Sequence, residues 1–209
     1  MLRDIRKQYE LSYLDENSVN PNPSAQFEQW LAEAIASTQL EPTAMVLSTV
    51  DKGLRPQSRV VLLKDFSNDG LKFYTNYNGH KAQQMELNKQ VSVVFFWPSL
   101  ERQVRIAGVV EKLSESESTE YFHSRPADSQ LGAWASPQSQ VIASHEVLED
   151  NLKTFNDKFG ENIPKPPHWG GYLIRPTSFE FWQGRPNRLH DRLLFSLGNG
   201  NWKMERLAP

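Results

Sequence analysis

Ala44-Met45-Val46-Leu47-Ser48-Thr49-Val50, closed by Asp51-Lys52-Gly53, and Ser58-Arg59-Val60-Val61-Leu62-Leu63-Lys64, closed by the loop Asp65 to Gly70, decide the fold. Both segments are short, rich in β-branched residues and bounded by turn formers, which predicts strands. Leu71 to Thr75 is a third strand. Links this tight make an antiparallel meander, since parallel strands need a crossover of about a dozen residues or more.

The pattern continues toward the C-terminus. Val91 to Trp97 and Arg102 to Leu113 read as strands around a Pro98-Ser99 turn. Gly171 to Arg175, Phe179 to Trp182, Arg188 to Leu197 and Asn201 to Leu207 read as the closing strands. Helices are inserted between them. Lys81 to Asn88 is one, Ser114 with Glu117 forms a capping box for a second ending near His123, and Arg125-Pro126 restarts a third. Ser144 is the expected cap of a longer helix with Leu148, Leu152, Phe155 and Phe159 on one face, ended by Gly160. On the N-terminal side, Leu2, Ile5, Tyr9 and Tyr13 make a short helical stripe. Ser24 is the expected cap of an amphipathic helix carrying Phe27, Trp30, Leu31, Ala34 and Ile35. The fold class is α+β, mainly β: an antiparallel barrel with peripheral helices. Residues 1–209 are expected to form one domain, with 1–23 as an arm and 169–209 as C-terminal strands.

Composition excludes several kinds of function. A net charge of −2 gives no global field to hold nucleic acid. The absence of cysteine rules out disulfides and thiolate catalysis. No Gly-rich phosphate loop or Gly-x-Ser-x-Gly elbow occurs, and no two of the five histidines lie at helical metal spacing, so metal-free chemistry is expected. The longest apolar run, Val91 to Trp97, is far short of the about 20 residues that span a bilayer. With a charged N-terminus from Arg3 onward, a cytoplasmic protein without membrane partners is expected.

Candidate ligand-binding residues are local. Arg59 and Lys64 lie on opposite faces of one strand, where they either meet two ligands or simply mark the strand's exits. Tyr74-Thr75 followed by His80-Lys81 at a helix start suits a phosphate, and equally suits capping with surface charge. Gln103 either faces inward to meet a heterocycle edge or faces water. Tyr121, Arg125 and Ser129, spaced by four, make a second phosphate anchor if a bend at Pro126 converges them, and a helix-end cluster otherwise. Gln138-Ser139 is uninformative alone. Finally, Phe179 to Trp182 feeds a turn after which three arginines, a histidine and an aspartate fall within Arg185–Arg192. That stretch is either the wall of a site for a planar anion or an ordinary hairpin with a charged tip.

Taken in order, these motifs resemble the pyridoxine/pyridoxamine 5′-phosphate oxidases of the FMN-binding split-barrel fold. The resemblance is carried by Arg59 to Lys64, Phe73 to Asn76, Glu101 to Val104, Tyr121 to Pro126, Asp128 to Gln130, Gly132 to Trp134, Gln138-Ser139 and Trp169 to Gly171. Its most specific part is Trp182-Gln183-Gly184 followed by Arg188-Leu189-His190-Asp191-Arg192. The resemblance implies a homodimer with FMN at the subunit interface. It assigns the FMN phosphate to Arg59 and Lys81, with backbone contacts along Val60, Val61, Leu62 and Leu63. Tyr74, Thr75, Gln103, Gln138 and Ser139 would surround the cofactor, with Trp182 and Arg192 reaching it from the partner chain. Lys64, Tyr121, Arg125 and Ser129 would hold the substrate phosphate. Arg188, Leu189 and His190 would lie at the substrate ring, Arg188 and His190 as the catalytic pair. Arg6, Lys7, Gln8 and Tyr9 of the arm would approach substrate.

The implied reaction is oxidation of pyridoxine or pyridoxamine 5′-phosphate by oxygen to pyridoxal 5′-phosphate, with hydrogen peroxide formed and ammonia released from the amine. Where the family carries Arg-Lys, this chain has His80-Lys81, so a cofactor role is firmer for Lys81 than for His80. Rival expectations are a split-barrel oxidase for another heterocycle, a non-catalytic flavin or vitamer carrier, and a barrel-shaped interaction module.

Overall fold

The computed structural model describes residues 1–4 and 7–209; the expectation for Arg6 lies outside the described residues. Among the described residues, nine strands form one antiparallel sheet that curls into a half-barrel. They are β1 (Ala44–Val50), β2 (Pro56–Leu62), β3 (Asp65–Ser67), β4 (Gly70–Asn76), β5 (Gln90–Trp97), β6 (Arg102–Lys112), β7 (Trp169–Gln183), β8 (Asp191–Gly198) and β9 (Asn201–Arg206). Five helices accompany them: α1 (Pro23–Ala36), α2 (His80–Leu87), α3 (Glu115–Ser124), α4 (Ala127–Ala135) and α5 (Glu146–Phe159).

The main path runs β2-β1-β5-β6-β7-β4-β3, with β8 and β9 branching from β7. One edge of β7 follows β6 from Tyr172 to Gln183, while the other pairs with β4 as far as Ile174 and with β8 from Ser178. The fork falls at Pro176, which has no N–H to donate to a ladder. A register shift lies opposite it, between Ala107 and Gly108. Pro176 is why two separate strands are expected from sequence; the structure instead has one strand with a bulge, which keeps the chain in the sheet through the proline. β3 is a second correction: its three residues, between turn formers, pair with β4 in the stretch expected to be a loop.

The barrel interior is plugged by α1. Phe27 is fully buried, with ring centroids of Phe66, Phe95, Phe179 and Trp97 between 4.7 and 6.4 Å away. Burying such a ring contributes about 1.5–3 kcal/mol. Asn22, not Ser24, caps α1: its side chain accepts the Ser24 N–H at 2.9 Å, and Pro23 takes the first helical position, where no N–H is needed. Ile35 is 57% exposed and so lies off the core stripe. The capping box of α3 forms as expected. α5 begins at Glu146 with no side-chain cap, and none of its residues is fully buried; Phe155 and Phe159 pack on Trp134. Gly160 ends it at positive φ. Of the N-terminal stripe, Ile5 lies outside the described residues; Leu2–Asp4 is a single 3-10 turn, and residues 7–10 have no regular structure rather than the expected helix.

Candidate functional site

β2 is an edge strand, so half its backbone groups have no strand partner. It approaches β4 only at its end, where Lys64 N–H donates to the Lys72 carbonyl at 2.9 Å. A groove of about 550 Å³ lies along this seam. It is lined by Arg59, Val60, Val61, Leu62, Lys64, Tyr74, Thr75, Lys81, Tyr121, Arg125, Ser129 and Gln138 among others. Four of these are cations. None of them forms an ion pair with a carboxylate among the described residues; the partners of Arg59 and Lys81 are neutral oxygens.

Arg59 Nη1 donates to Thr49 Oγ1 at 2.6 Å and to the Leu47 carbonyl at 3.2 Å. Lys81 Nζ donates to Gln138 Oε1 at 2.7 Å and Thr75 Oγ1 at 3.1 Å. Burial lowers the pKa of both groups, and the charge of Arg59 lowers Lys81 further. Gly79 permits the arrangement, since a Cβ there would stand 2.6 Å from Gln138 Oε1. Two cations with neutral oxygens beside the start of α2 are a donor set that suits an anion.

The candidates for a second anchor converge at the bend between α3 and α4. Arg125 leaves the helical conformation with ψ 151° and Pro126 caps α4, which brings Tyr121, Arg125 and Ser129 to one wall. Tyr74 and Tyr121 stack at 3.8 Å, and the Arg125 guanidinium lies over Trp169 at 4.7 Å. Arg125 Nη1 is buried and makes no hydrogen bond. Burial lowers its pKa, partly offset by Tyr121, and burial raises the pKa of both Tyr74 and Tyr121. An unpaired buried donor costs about 1–3 kcal/mol, so the wall is built for an acceptor.

Not every candidate reaches this groove. His80 and Ser139 are exposed and do not line it, although Ser139 adopts positive φ. Leu63 is buried in the core, leaving only its backbone available. Gln103 does not point into the core as one expectation had it. Val104 and Ile106 do, and alternation puts Gln103 on the outer face. There it stands in register with Trp182, which in turn pairs with Arg192. Arg192 donates through Nε to Glu180 Oε1 at 2.9 Å and through Nη1 to the Ala208 carbonyl at 2.8 Å.

A second hollow of about 660 Å³ is lined by Lys7, Gln8, Tyr9, Arg185, Asn187, Arg188 and His190. It shares no residue with the groove. Asn187 and Arg188 both adopt positive φ, which turns the chain back toward β7; Arg188 and Leu189 are exposed. His190 Nδ1 accepts the Arg185 N–H at 3.1 Å, so the neutral ring carries its proton on Nε2. Burial first, then Arg188, lowers the pKa of His190, and Asp191 opposes this. The His190 ring lies 4.6 Å from Trp182 and 5.8 Å from Tyr9.

Sequence reasoning left three participants without a role. Trp169, noted only as part of a motif, is the platform under Arg125. Glu180, inside the Phe179 to Trp182 stretch, joins Arg105 and Arg192. Glu101 binds the arm across 91 residues of sequence, which no local pattern announces.

Comparison with known proteins supplies the family. Residues 31–159 match the family model described as "Pyridoxamine 5′-phosphate oxidase". The chain belongs to the pyridoxine/pyridoxamine 5′-phosphate oxidase family. Residues 169–209 match its C-terminal dimerisation region. A pyridoxine/pyridoxamine 5′-phosphate oxidase of Acidovorax sp. (strain JS42) is 52% identical, with 100% of this chain and 96% of the relative covered. One of Nostoc punctiforme is 53% identical, with 99% and 97% covered. Among solved structures, PhzG of Burkholderia lata 383, in complex with tetrahydrophenazine-1-carboxylic acid, superposes with a TM-score of 0.91 at 26% identity, covering 97% of this chain and 100% of that one. A pyridoxamine 5′-phosphate oxidase-related, FMN binding protein from Nostoc punctiforme shares the fold, with a TM-score of 0.72 at 18% identity over 91% of this chain and 100% of that one. Family membership makes the chain an oxidoreductase of the flavoprotein type with a split-barrel fold. Among the described residues, no helix is long and apolar enough to cross a membrane, and no cluster of potential metal ligands forms.

Proposed function

We propose that the chain uses FMN and oxygen to oxidise pyridoxine 5′-phosphate and pyridoxamine 5′-phosphate to pyridoxal 5′-phosphate. Each turnover on the alcohol consumes one oxygen and forms one hydrogen peroxide; the amine also takes up water and releases ammonia. The observation that carries this reading is the groove with Arg59, Lys64, Lys81 and Arg125 on its walls and no carboxylate paired with them. Four uncompensated cations suit two phosphates of about −1.5 to −2 charges each. The stacked Tyr74 and Tyr121 rings give the groove an aromatic wall that suits a flat ligand ring.

The residues fit FMN. Arg59 and Lys81 would hold its phosphate, helped by unpaired amides of the β2 edge, with Tyr74, Thr75 and Gln138 alongside. Gln103, Trp182 and Arg192 form one row on the outer face of the sheet, and Phe96 extends that row. We assign this face to a second copy of the chain, in keeping with the dimerisation region matched by residues 169–209. A homodimer would bring the Arg188/His190 hollow of one subunit to the cationic groove of the other, which a single chain leaves apart. Less direct roles fall to His80 and Ser139, both outside the groove.

Bound FMN supplies the hydride acceptor and the route to oxygen. The protein's part is proximity and orientation. Lys64, Tyr121, Arg125 and Ser129 anchor the substrate phosphate, Arg125 through its free Nη1. Arg188 lies at the substrate ring. His190 stays neutral at physiological pH, with Nδ1 held by the Arg185 amide, and offers Nε2 to the substrate. Arg192 stabilises negative charge beside the cofactor, balanced at rest by Glu180. A cytoplasmic setting and a place in vitamin B6 salvage belong to the same reading.

The test is anaerobic mixing of the yellow protein with pyridoxamine 5′-phosphate. Loss of the oxidised flavin absorbance in one turnover is expected; a spectrum that stays unchanged would refute the reading. A second reading is oxidation of an unphosphorylated ring carboxylate, favoured by the superposition with PhzG. It gives the Tyr121, Arg125 and Ser129 wall no phosphate to hold.

A further inference from the structure

Glu101 is 3% exposed and sits at a positive φ of 55°, two costs for one acidic residue. Its compensation comes from the arm. Oε2 accepts the backbone N–H groups of Glu10 at 2.8 Å and Leu11 at 3.1 Å, and Oε1 lies 3.4 Å from Lys7 Nζ. Lys7 Nζ also donates to the Pro98 carbonyl at 3.2 Å. No other cation pairs with Glu101 among the described residues. If the arm leaves, a buried carboxylate loses all three of these partners.

The main chain of Glu101 faces the other way. Its carbonyl accepts the Gly184 N–H at 2.7 Å and Gln183 Nε2 at 3.3 Å, at the start of the turn leading to Arg188 and His190. Gly184 leaves room for the arm: a Cβ there would stand 2.8 Å from Tyr9 Cβ and Cγ. Tyr9 then lies edge-on to Trp182 at 5.7 Å and to His190 at 5.8 Å.

We propose that Glu101 is a positioning residue, the buried carboxylate that docks residues 7–11 so that Tyr9 closes the Arg188/His190 hollow. It touches no reacting atom and acts through the arm. The role deepens the oxidase reading where it concerns substrate affinity, and stands on contacts of this chain where it concerns the latch. The arm must be docked for tight binding, so a smaller docked fraction raises the apparent dissociation constant in proportion.

The test is hydrogen exchange, with steady-state kinetics, on the purified flavin-loaded protein and its Glu101→Gln and Gly184→Ala variants. In Glu101→Gln, exchange over residues 8–11 should quicken about tenfold or more, as expected for losing a charge-assisted pair of hydrogen bonds. Exchange in β7 and β8 should not change. The Michaelis constant for pyridoxamine 5′-phosphate should rise about tenfold, with kcat within about twofold of the parent. Gly184→Ala should free the same segment with the carboxylate still present. The Glu101→Gln/Tyr9→Ala double variant should have the Michaelis constant of Tyr9→Ala alone, because both act through one contact. Unchanged arm exchange, acceleration spread through β7 and β8, or multiplicative effects in the double variant would each overturn the proposal. If the parent protein does not oxidise pyridoxamine 5′-phosphate, the substrate reading fails, and the exchange pattern alone decides the latch.

Discussion

The Arg125 guanidinium lies over the Trp169 ring, 4.7 Å from its centroid, with Nη1 buried and unpartnered. The ring helps to desolvate the fork, so one donor is kept ready for an incoming oxygen. Removing the guanidinium should forfeit one or two charge-assisted hydrogen bonds of about 1.5–3 kcal/mol each. Arg125→Ala should therefore raise the Michaelis constant for a phosphorylated substrate about 10- to 100-fold and leave flavin content unchanged. Arg125→Lys should recover little, because an ammonium neither stacks as a plane nor donates as a fork. An unchanged constant in Arg125→Ala would remove the residue from the phosphate site.

Lys81 and Arg59 are like charges held near one another in a groove without a carboxylate, and burial lowers the pKa of each. For a lysine with a lowered folded pKa, the penalty to folding is full below that value and is relieved as pH rises toward 10.5. An anion should relieve it at neutral pH. Inorganic phosphate at about 100 times its dissociation constant should raise Tm by roughly 5 °C or more, beyond chloride at equal ionic strength. In Lys81→Ala the phosphate increment should shrink, as measured by thermal melts; an increment equal to that of the parent would contradict the anchor.

His190 is held below the ordinary histidine value by burial and by Arg188. Its neutral form therefore persists on the acid side of pH 6.5, and protonation would abolish the bond accepted from Arg185 N–H. The sign for stability is the same: the group costs stability as pH falls through the folded value, and the cost disappears as pH rises above 6.5. The acid limb of kcat/KM should fall below pH 6.5 and be absent in His190→Asn. An acid limb above pH 7 would show the histidine to be cationic at rest.

Gly108 stands at the bulge opposite Pro176, where a Cβ would come 2.3 Å from the Arg175 carbonyl oxygen. A backbone atom cannot swing aside as a side-chain tip can. Gly108→Ala should cost about 1–3 kcal/mol or more, read as a lower urea midpoint at unchanged m-value. A midpoint equal to that of the parent would mean that the fork of the sheet is more pliable than the register implies.

The sheet was legible because β1, β5 and β6 alternate buried and outward residues between turn formers, and because β2 and β4 are short β-rich runs between such turns. β3 was not, since Asp65-Phe66-Ser67 is too short to show a period. Pro176 hid the continuity of β7, because the rule against proline in a strand is relaxed at a bulge. In the site, the spacing of Tyr121, Arg125 and Ser129 showed which side chains meet on one wall once the chain bent at Pro126. Glu101 and Trp169 lie in stretches that carry the resemblance, but no local pattern announces their contacts. Their partners, Glu10 and Arg125, lie 91 and 44 residues away, and only the closed barrel joins them.

The central claim is a flavin oxidase that grips its substrate by a phosphate. Oxygen uptake by the FMN-loaded protein, with pyridoxamine 5′-phosphate and with unphosphorylated pyridoxamine, tests it most directly. Uptake matched by pyridoxal 5′-phosphate and hydrogen peroxide, with kcat/KM at least about 100-fold lower for the unphosphorylated amine, is the predicted result. No uptake with pyridoxamine 5′-phosphate, or equal kcat/KM for the two amines, would contradict it.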